Sequence, residues 1–163
     1  MDLHLFVDAA TGKTTGGQGI VVISEDPTNI YFEIRLPLAA RVNQLRAEMT
    51  AIWTGLQIIP NILTSYRVDP HAVYLNIYSD SKGAVDALYM PHTQSNKKIR
   101  LLIKRIWKKL NGEIAQPLGG GCTFHVLSKK GEEKDNDRIK FFRKKMARAH
   151  ELSRKARAAF KDI

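Results

Sequence analysis

The spacing of apolar positions changes several times along the chain. Residues 3–8, Leu-His-Leu-Phe-Val-Asp, are an apolar run closing on an acid, as a short buried strand would. Residues 11–19 are rich in Thr and Gly, which is turn chemistry. Residues 20–25 are β-branched and strand-like. Asp26-Pro27-Thr28-Asn29 is a turn signal. Ile30, Phe32, Ile34 and Leu36 then alternate with Tyr31, Glu33 and Arg35, the period-two mark of a half-buried strand. Three strands and two short turns predict an antiparallel meander.

The period lengthens next. Leu45, Met49, Ile52, Leu56 and Ile59 recur at three and four residues, predicting an amphipathic helix over 43–59. Asn43 stands near its start, and Pro60 is expected to bend or end it. Residues 72–80 predict a strand that again closes on an acid, and 81–89 a short helix broken by Pro91-His92-Thr93. Ile99, Leu102, Ile103, Ile106 and Leu110 line one face of a helix over 95–110. Pro117 and Gly119-Gly120-Gly121 read as a connector, 122–128 as a last strand and 129–136 as a polar loop. A long basic helix follows over 137–160, with Ile139, Phe142, Met146, Ala149, Leu152, Ala156 and Phe160 as its stripe. The order β-β-β-α-β-α-α-β-α predicts an α/β domain: a mixed five-stranded sheet with helices packed on it. The helix between strands three and four permits a crossover that returns strand four parallel to strand one.

Charge sharpens this picture. The formal net charge is +10, and it is unevenly spread. Residues 1–93 hold 6 basic and 9 acidic residues, residues 94–113 hold 7 and 1, and residues 128–163 hold 13 and 6. An acidic front half joined to a basic back half points to a polyanionic partner, with nucleic acid leading. A length of 163 residues suits one domain over 1–163. The single cysteine, Cys122, excludes an intrachain disulfide and a cysteine-built zinc site. No apolar run reaches membrane-spanning length, and Met1-Asp2-Leu3-His4 does not open a signal peptide. The expectation is a soluble, cytoplasmic, monomeric protein, free-standing from its start at Met1.

Three acids are the candidate chemistry. Asp8 and Asp80 each follow an apolar strand run. On parallel neighbouring strands they emerge at one sheet edge, where open α/β sheets place ligands, and repel unless a cation neutralises them. A strand-terminal Asp is also a common turn former. Glu48 sits at the border of the first helix's apolar face, where a carboxylate needs a hydrogen-bond partner or a metal.

In this order the motifs are similar to those of the ribonuclease H family. They are Leu5-Phe6-Val7-Asp8 before a Gly-rich turn, Arg46-Ala47-Glu48, and Ile77-Tyr78-Ser79-Asp80-Ser81. The Arg-Ala-Glu run resembles the retroviral version, and the resemblance extends from residue 3 to about 159. It implies two Mg²⁺ or Mn²⁺ ions on Asp8, Glu48 and Asp80, and hydrolysis of the RNA strand of RNA–DNA hybrids. A fourth ligand is implied within an Ala-Asp-x-Leu-Ala-type run. Here Ala149-His150-Glu151-Leu152 fits that run with His150 in the Asp place, and Asp137 competes. The loop at 129–133 lacks the His many members carry, and His125 reads as structural. The resemblance also implies substrate contacts. Asn43 and Gln44 stand where relatives touch the minor groove, and Lys97, Lys98, Arg100, Lys104, Arg105 and Lys108 stand where relatives grip phosphates. Trp107 reads first as core packing and second as a brace for that helix, and Gly16-Gly17 as a hairpin turn or a point of close backbone approach to a bound strand. Arg143, Lys144, Arg148, Lys155 and Arg157 extend the footprint or solubilise the last helix. Rival readings are a junction-resolving or other structure-specific nuclease of the same fold, and a non-catalytic nucleic-acid-binding relative.

Overall fold

The computed structural model describes residues 1–25, 29–111 and 121–160. The expected turn at 26–29 lies mostly outside these residues, as does nearly all of the 117–121 connector. β1 (Asp2–Ala10), β2 (Gly16–Ser24) and β3 (Tyr31–Leu38) form the predicted antiparallel meander. β4 (Tyr74–Ser79) lies parallel to β1, and β5 (Cys122–Val126) parallel to β4. The sheet order is β3-β2-β1-β4-β5. β5 stops before the expected 128, because Arg143 binds the Ser128 carbonyl and hydroxyl at 2.9 and 3.1 Å.

β1 is buried on both faces, so its alternation sorts residues between two cores. Leu3, Leu5, Val7 and Ala9 pack on the side of α1 (Gln44–Ser65). Phe6, with Val21, Ile23 and Tyr78, packs against Phe142, Met146 and Leu152 of α4 (Asp137–Ala159). Fully burying a side chain such as Phe6 or Phe142 contributes roughly 1.5–3 kcal/mol. α2 (Lys82–Tyr89) and α3 (Lys97–Lys109) complete the α1 side. On the α4 side a buried His4 receives a bond from the Tyr78 hydroxyl at 2.9 Å and meets Glu25 Oε1 at 2.7 Å.

α1 begins where expected, because Asn43 caps it by accepting from the Arg46 N–H at 2.8 Å. Such a cap contributes about 1 kcal/mol. Pro60 does not end it. The helix runs on to Ser65 because Ile62 and Leu63 remain buried beyond it, while Pro60 itself is exposed. The burial of that last turn offsets the one backbone donor proline lacks. Trp107 does both: half-buried, it packs against the α1-side core with its ring edge-on to Phe124, and its indole N–H donates to the Leu88 carbonyl at 2.9 Å. No described helix is long and apolar enough to cross a membrane.

Candidate active site

The β1–β4 register fixes the first two acids. Val7 pairs with Ser79, the last residue of β4, so Asp8 within β1 and Asp80 just past β4 stand together at one edge of the sheet. Glu48 reaches that edge from the second turn of α1. Donor oxygens of Asp8, Glu48 and Asp80 all lie within 4.8 Å of one another. Asp8 and Glu48 are buried, and Asp80 stands at the open mouth. The cleft has a volume of about 300 Å³, and Thr11, Gln44, His150, Arg154 and Arg157 also line it.

Burial, then the charges of Asp8 and Asp80, push the Glu48 carboxyl up to about 9. Partial burial, then the Asp8 charge, push Asp80 up to about 6. Three converging carboxylates are thus poorly accommodated as anions on their own. Glu48 Oε1 accepts from Gln44 at 2.6 Å, but its buried Oε2 has no hydrogen-bond partner among the described residues. A buried oxygen without a donor is a substantial penalty. A cation bound between the acids removes both the penalty and the repulsion. An all-oxygen donor set suits a hard divalent ion such as Mg²⁺ or Mn²⁺.

α4 supports the acids from the other face. His150 Nδ1 lies 3.0 Å from Asp8 Oδ2, and the Ser153 hydroxyl is 2.8 Å from the same oxygen. Since a carboxylate only accepts, Nδ1 is the donor in that contact and Nε2 is the ring's other nitrogen. His150 lies outside the 4.8 Å cluster and adjoins it through Asp8. Asp137 is not brought there. It is the first residue of α4, thirteen residues before His150, or roughly 20 Å along the helix axis.

The helix approaches this closely because β2 presents bare backbone to it. A Cβ on Gly17 would lie 2.2 Å from the Ser153 carbonyl oxygen, and one on Gly19 would lie 1.9 Å from that of Ala149. Gly17 therefore serves as a notch for the protein's own helix rather than as a hairpin turn.

The candidate substrate residues divide. Asn43, Lys97 and Lys98 share a groove of about 440 Å³ with Arg41, Arg46 and Asn96. Lys97, Lys98, Arg100 and Lys104 line a second groove along α3, and Arg105 and Lys108 are exposed on the same helix. Gln44 points elsewhere. Its amide donates to Glu48 and to the Ala9 carbonyl at 3.2 Å, and its oxygen accepts from Thr11 at 3.3 Å. With both amide hydrogens engaged, Gln44 holds Glu48 at the exposed rim of the cleft. On α4, Arg143 is bound to Asp135, Arg148 to Glu33 and Glu151, and Lys155 to Glu151. Arg157 faces the cleft, donating to the Thr11 carbonyl at 3.0 Å. His125 is structural as expected, 3.1 Å from Asn76 Oδ1 and stacked on Tyr78.

Sequence reasoning missed Ser153, Arg154, Arg41 and Arg46. Only the helical spacing of His150, Ser153, Arg154 and Arg157 hinted that these four share one end of α4.

The sheet order, the two-sided helix packing and the acidic edge define a ribonuclease H-type fold, as the motifs led us to expect. A family model described as reverse transcriptase-like matches residues 6–113, and the chain belongs to that family. Solved structures agree in fold. Ribonuclease H1 from the halophilic archaeon Halobacterium salinarum is 17% identical with a TM-score of 0.62, over 98% of this chain and 99% of that one. LC11-RNase H1, in complex with an RNA/DNA hybrid, is 16% identical with a TM-score of 0.63, over 94% and 95%. The prototype foamy virus protease-reverse transcriptase is 15% identical with a TM-score of 0.66, over 94% of this chain and 20% of that one. No curated protein sequence matches the chain.

Proposed function

We propose that the chain is a divalent-metal-dependent endonuclease that hydrolyses the RNA strand of RNA–DNA hybrids. One observation carries the reading: three carboxylates from β1, α1 and the end of β4 converge within 4.8 Å, one with a buried oxygen that has no donor among the described residues. Asp8, Glu48 and Asp80 are the ligands of two Mg²⁺ or Mn²⁺ ions in this proposal. When bound, such ions supply the charge that activates the attacking water and stabilises the leaving oxygen.

The chain's own groups do the positioning. Ser153 and His150 hold Asp8 Oδ2, which leaves Asp8 Oδ1 for the cleft. Gln44 holds Glu48 Oε1 and so directs Oε2 inward. His150 is the proposed fourth member, presenting Nε2 as a neutral ligand or as an acceptor for water. Lys97, Lys98, Arg100, Lys104, Arg105 and Lys108 grip phosphates without reading sequence, and Asn43 lies at the head of that surface. The hybrid bound to LC11-RNase H1 supports this choice of substrate. The proposed setting is the cytoplasm, with residues 1–163 acting as one domain. The lone Cys122, with no disulfide to protect, agrees with a reducing compartment.

The test is cleavage of labelled RNA–DNA hybrid beside duplex RNA, duplex DNA and a four-way junction, in Mg²⁺ and in Mn²⁺. Hybrid-only cutting that disappears in Asp80→Asn, with hybrid binding retained, is the expected result. Junction cutting would replace the reading with a resolvase. Binding without cutting in either metal would leave a nucleic-acid-binding relative.

A further inference from the structure

The outer surface of α4 meets the edge strand β3 on the side of the sheet away from α1 and α3. Two large rings are exposed there, Tyr31 at 47% and Phe141 at 45%. Lys145 Nζ lies between them, 5.1 Å from the Tyr31 ring centre and 4.9 Å from that of Phe141. The ring centres are therefore within about 10 Å of one another. Tyr31 is fixed in place. Its hydroxyl donates to Glu33 at 2.8 Å, and the Tyr66 hydroxyl donates to its carbonyl at 2.8 Å. A ring ordered in advance loses little freedom when a partner lands on it.

The charges around these rings leave a positive surplus. Glu33 is taken by Arg148 and Tyr31, and Glu151 by Arg148 and Lys155. Asp137, one turn before Phe141, is the carboxylate on this helix face without an ion pair among the described residues. Against it stand Lys140, Lys144 and Lys145, which also have no ion pair among the described residues and flank Phe141 on α4.

We propose that this patch binds single-stranded nucleic acid. Unstacked bases lie on Tyr31 and Phe141 in place of the Lys145 ammonium, and the backbone phosphates meet Lys140, Lys144 and the displaced Lys145. A duplex keeps its bases stacked inside, so exposed ring faces fit a single strand and not a hybrid. Lysines without an ion pair among the described residues supply the positive charge that backbone phosphates need. The patch lies across the sheet from the basic surface of α3, so the two surfaces serve different parts of a nucleic acid. The inference goes beyond hydrolysis and does not require it.

The test uses fluorescence anisotropy of the full chain with labelled dT15, in chelator so that nothing is cut. A blunt RNA–DNA hybrid is measured alongside. Phe141→Ala and Lys140→Ala/Lys144→Ala are each expected to weaken dT15 binding by at least about fivefold. Blunt-hybrid affinity stays within about twofold, while Lys97→Ala/Lys98→Ala shows the opposite pattern. Phe141→Trp keeps dT15 binding and Phe141→Leu loses it, which separates stacking from plain hydrophobic contact. All these positions are exposed, and an unchanged thermal unfolding midpoint confirms each variant is folded. Unaltered dT15 binding in the patch variants overturns the inference. So does a patch-dependent preference for phosphatidylserine vesicles or for polyglutamate over dT15.

Discussion

Gly19 pairs with Asp8 across the β1–β2 ladder, and the Ala149 carbonyl oxygen fills the place its Cβ would take, 1.9 Å away. The same hypothetical Cβ would lie 2.7 Å from the Ser153 nitrogen. The absence of a side chain at Gly19 is thus what lets α4 deliver His150 and Ser153 to Asp8. Gly19→Ala is expected to force α4 outward. Overpacking against a rigid backbone corresponds to about 3 kcal/mol of lost stability, and cleavage falls with it. Urea unfolding together with the hybrid assay measures both, and an unshifted midpoint would refute the notch.

The acids set a pH dependence of stability. Glu48 is raised from its ordinary 4.5 to about 9 in the fold. Its contribution is therefore complete below pH 4.5 and is lost as pH rises toward 9. Asp80, raised to about 6, acts in the same direction over a narrower range. In chelator, the wild-type protein is expected to lose on the order of 2 kcal/mol across this window, and Glu48→Gln markedly less. In millimolar Mg²⁺ the wild-type slope reverses, since metal and proton compete for the same oxygens. Urea midpoints at pH 5, 7 and 9 decide it. Parallel slopes for wild type and Glu48→Gln would show that Glu48 is not the strained group.

His150 and Asp137 can be separated by one pair of variants. His150→Ala is expected to slow hybrid cleavage about ten- to hundredfold with hybrid affinity unchanged, the usual effect of losing a group that orients a ligand. Asp137→Ala, at the far end of α4, leaves cleavage within about twofold of wild type. The reverse pattern would make Asp137 the fourth member and contradict the geometry of the cleft.

Replacing Lys97, Lys98, Arg100 and Lys104 with Ala is expected to weaken hybrid binding and flatten its dependence on salt. The slope of log affinity against log salt falls by up to about 0.9 for each phosphate no longer neutralised. Filter binding between 50 and 300 mM salt, concentrations set by the assay, gives the slope. An unchanged slope would move the hybrid off α3.

Much of this was legible in the amino-acid sequence because it is written in local patterns. Apolar spacing distinguishes strand from helix within a few residues, so the order of elements and the crossover from β3 to β4 follow from it. Asp8 and Asp80 were visible because each ends an apolar run, and Glu48 because it borders an apolar stripe. Other features depended on which surfaces meet. Pro60 stayed helical because Ile62 and Leu63 found a core to enter. Gln44 turned toward Glu48 and the Ala9 carbonyl, a choice no one-dimensional pattern contains. Asp137 competed with His150, which only its apolar flanks favoured, and the length of α4 with its approach to Gly17 and Gly19 set the two apart in space. His150 meets Asp8 across 142 positions of chain. The sequence alone determined which acids stand at the edge of the sheet. Tertiary packing decided which donors reach them, because a hydrogen bond demands ångström placement that only the approach of α4 to bare β2 backbone provides.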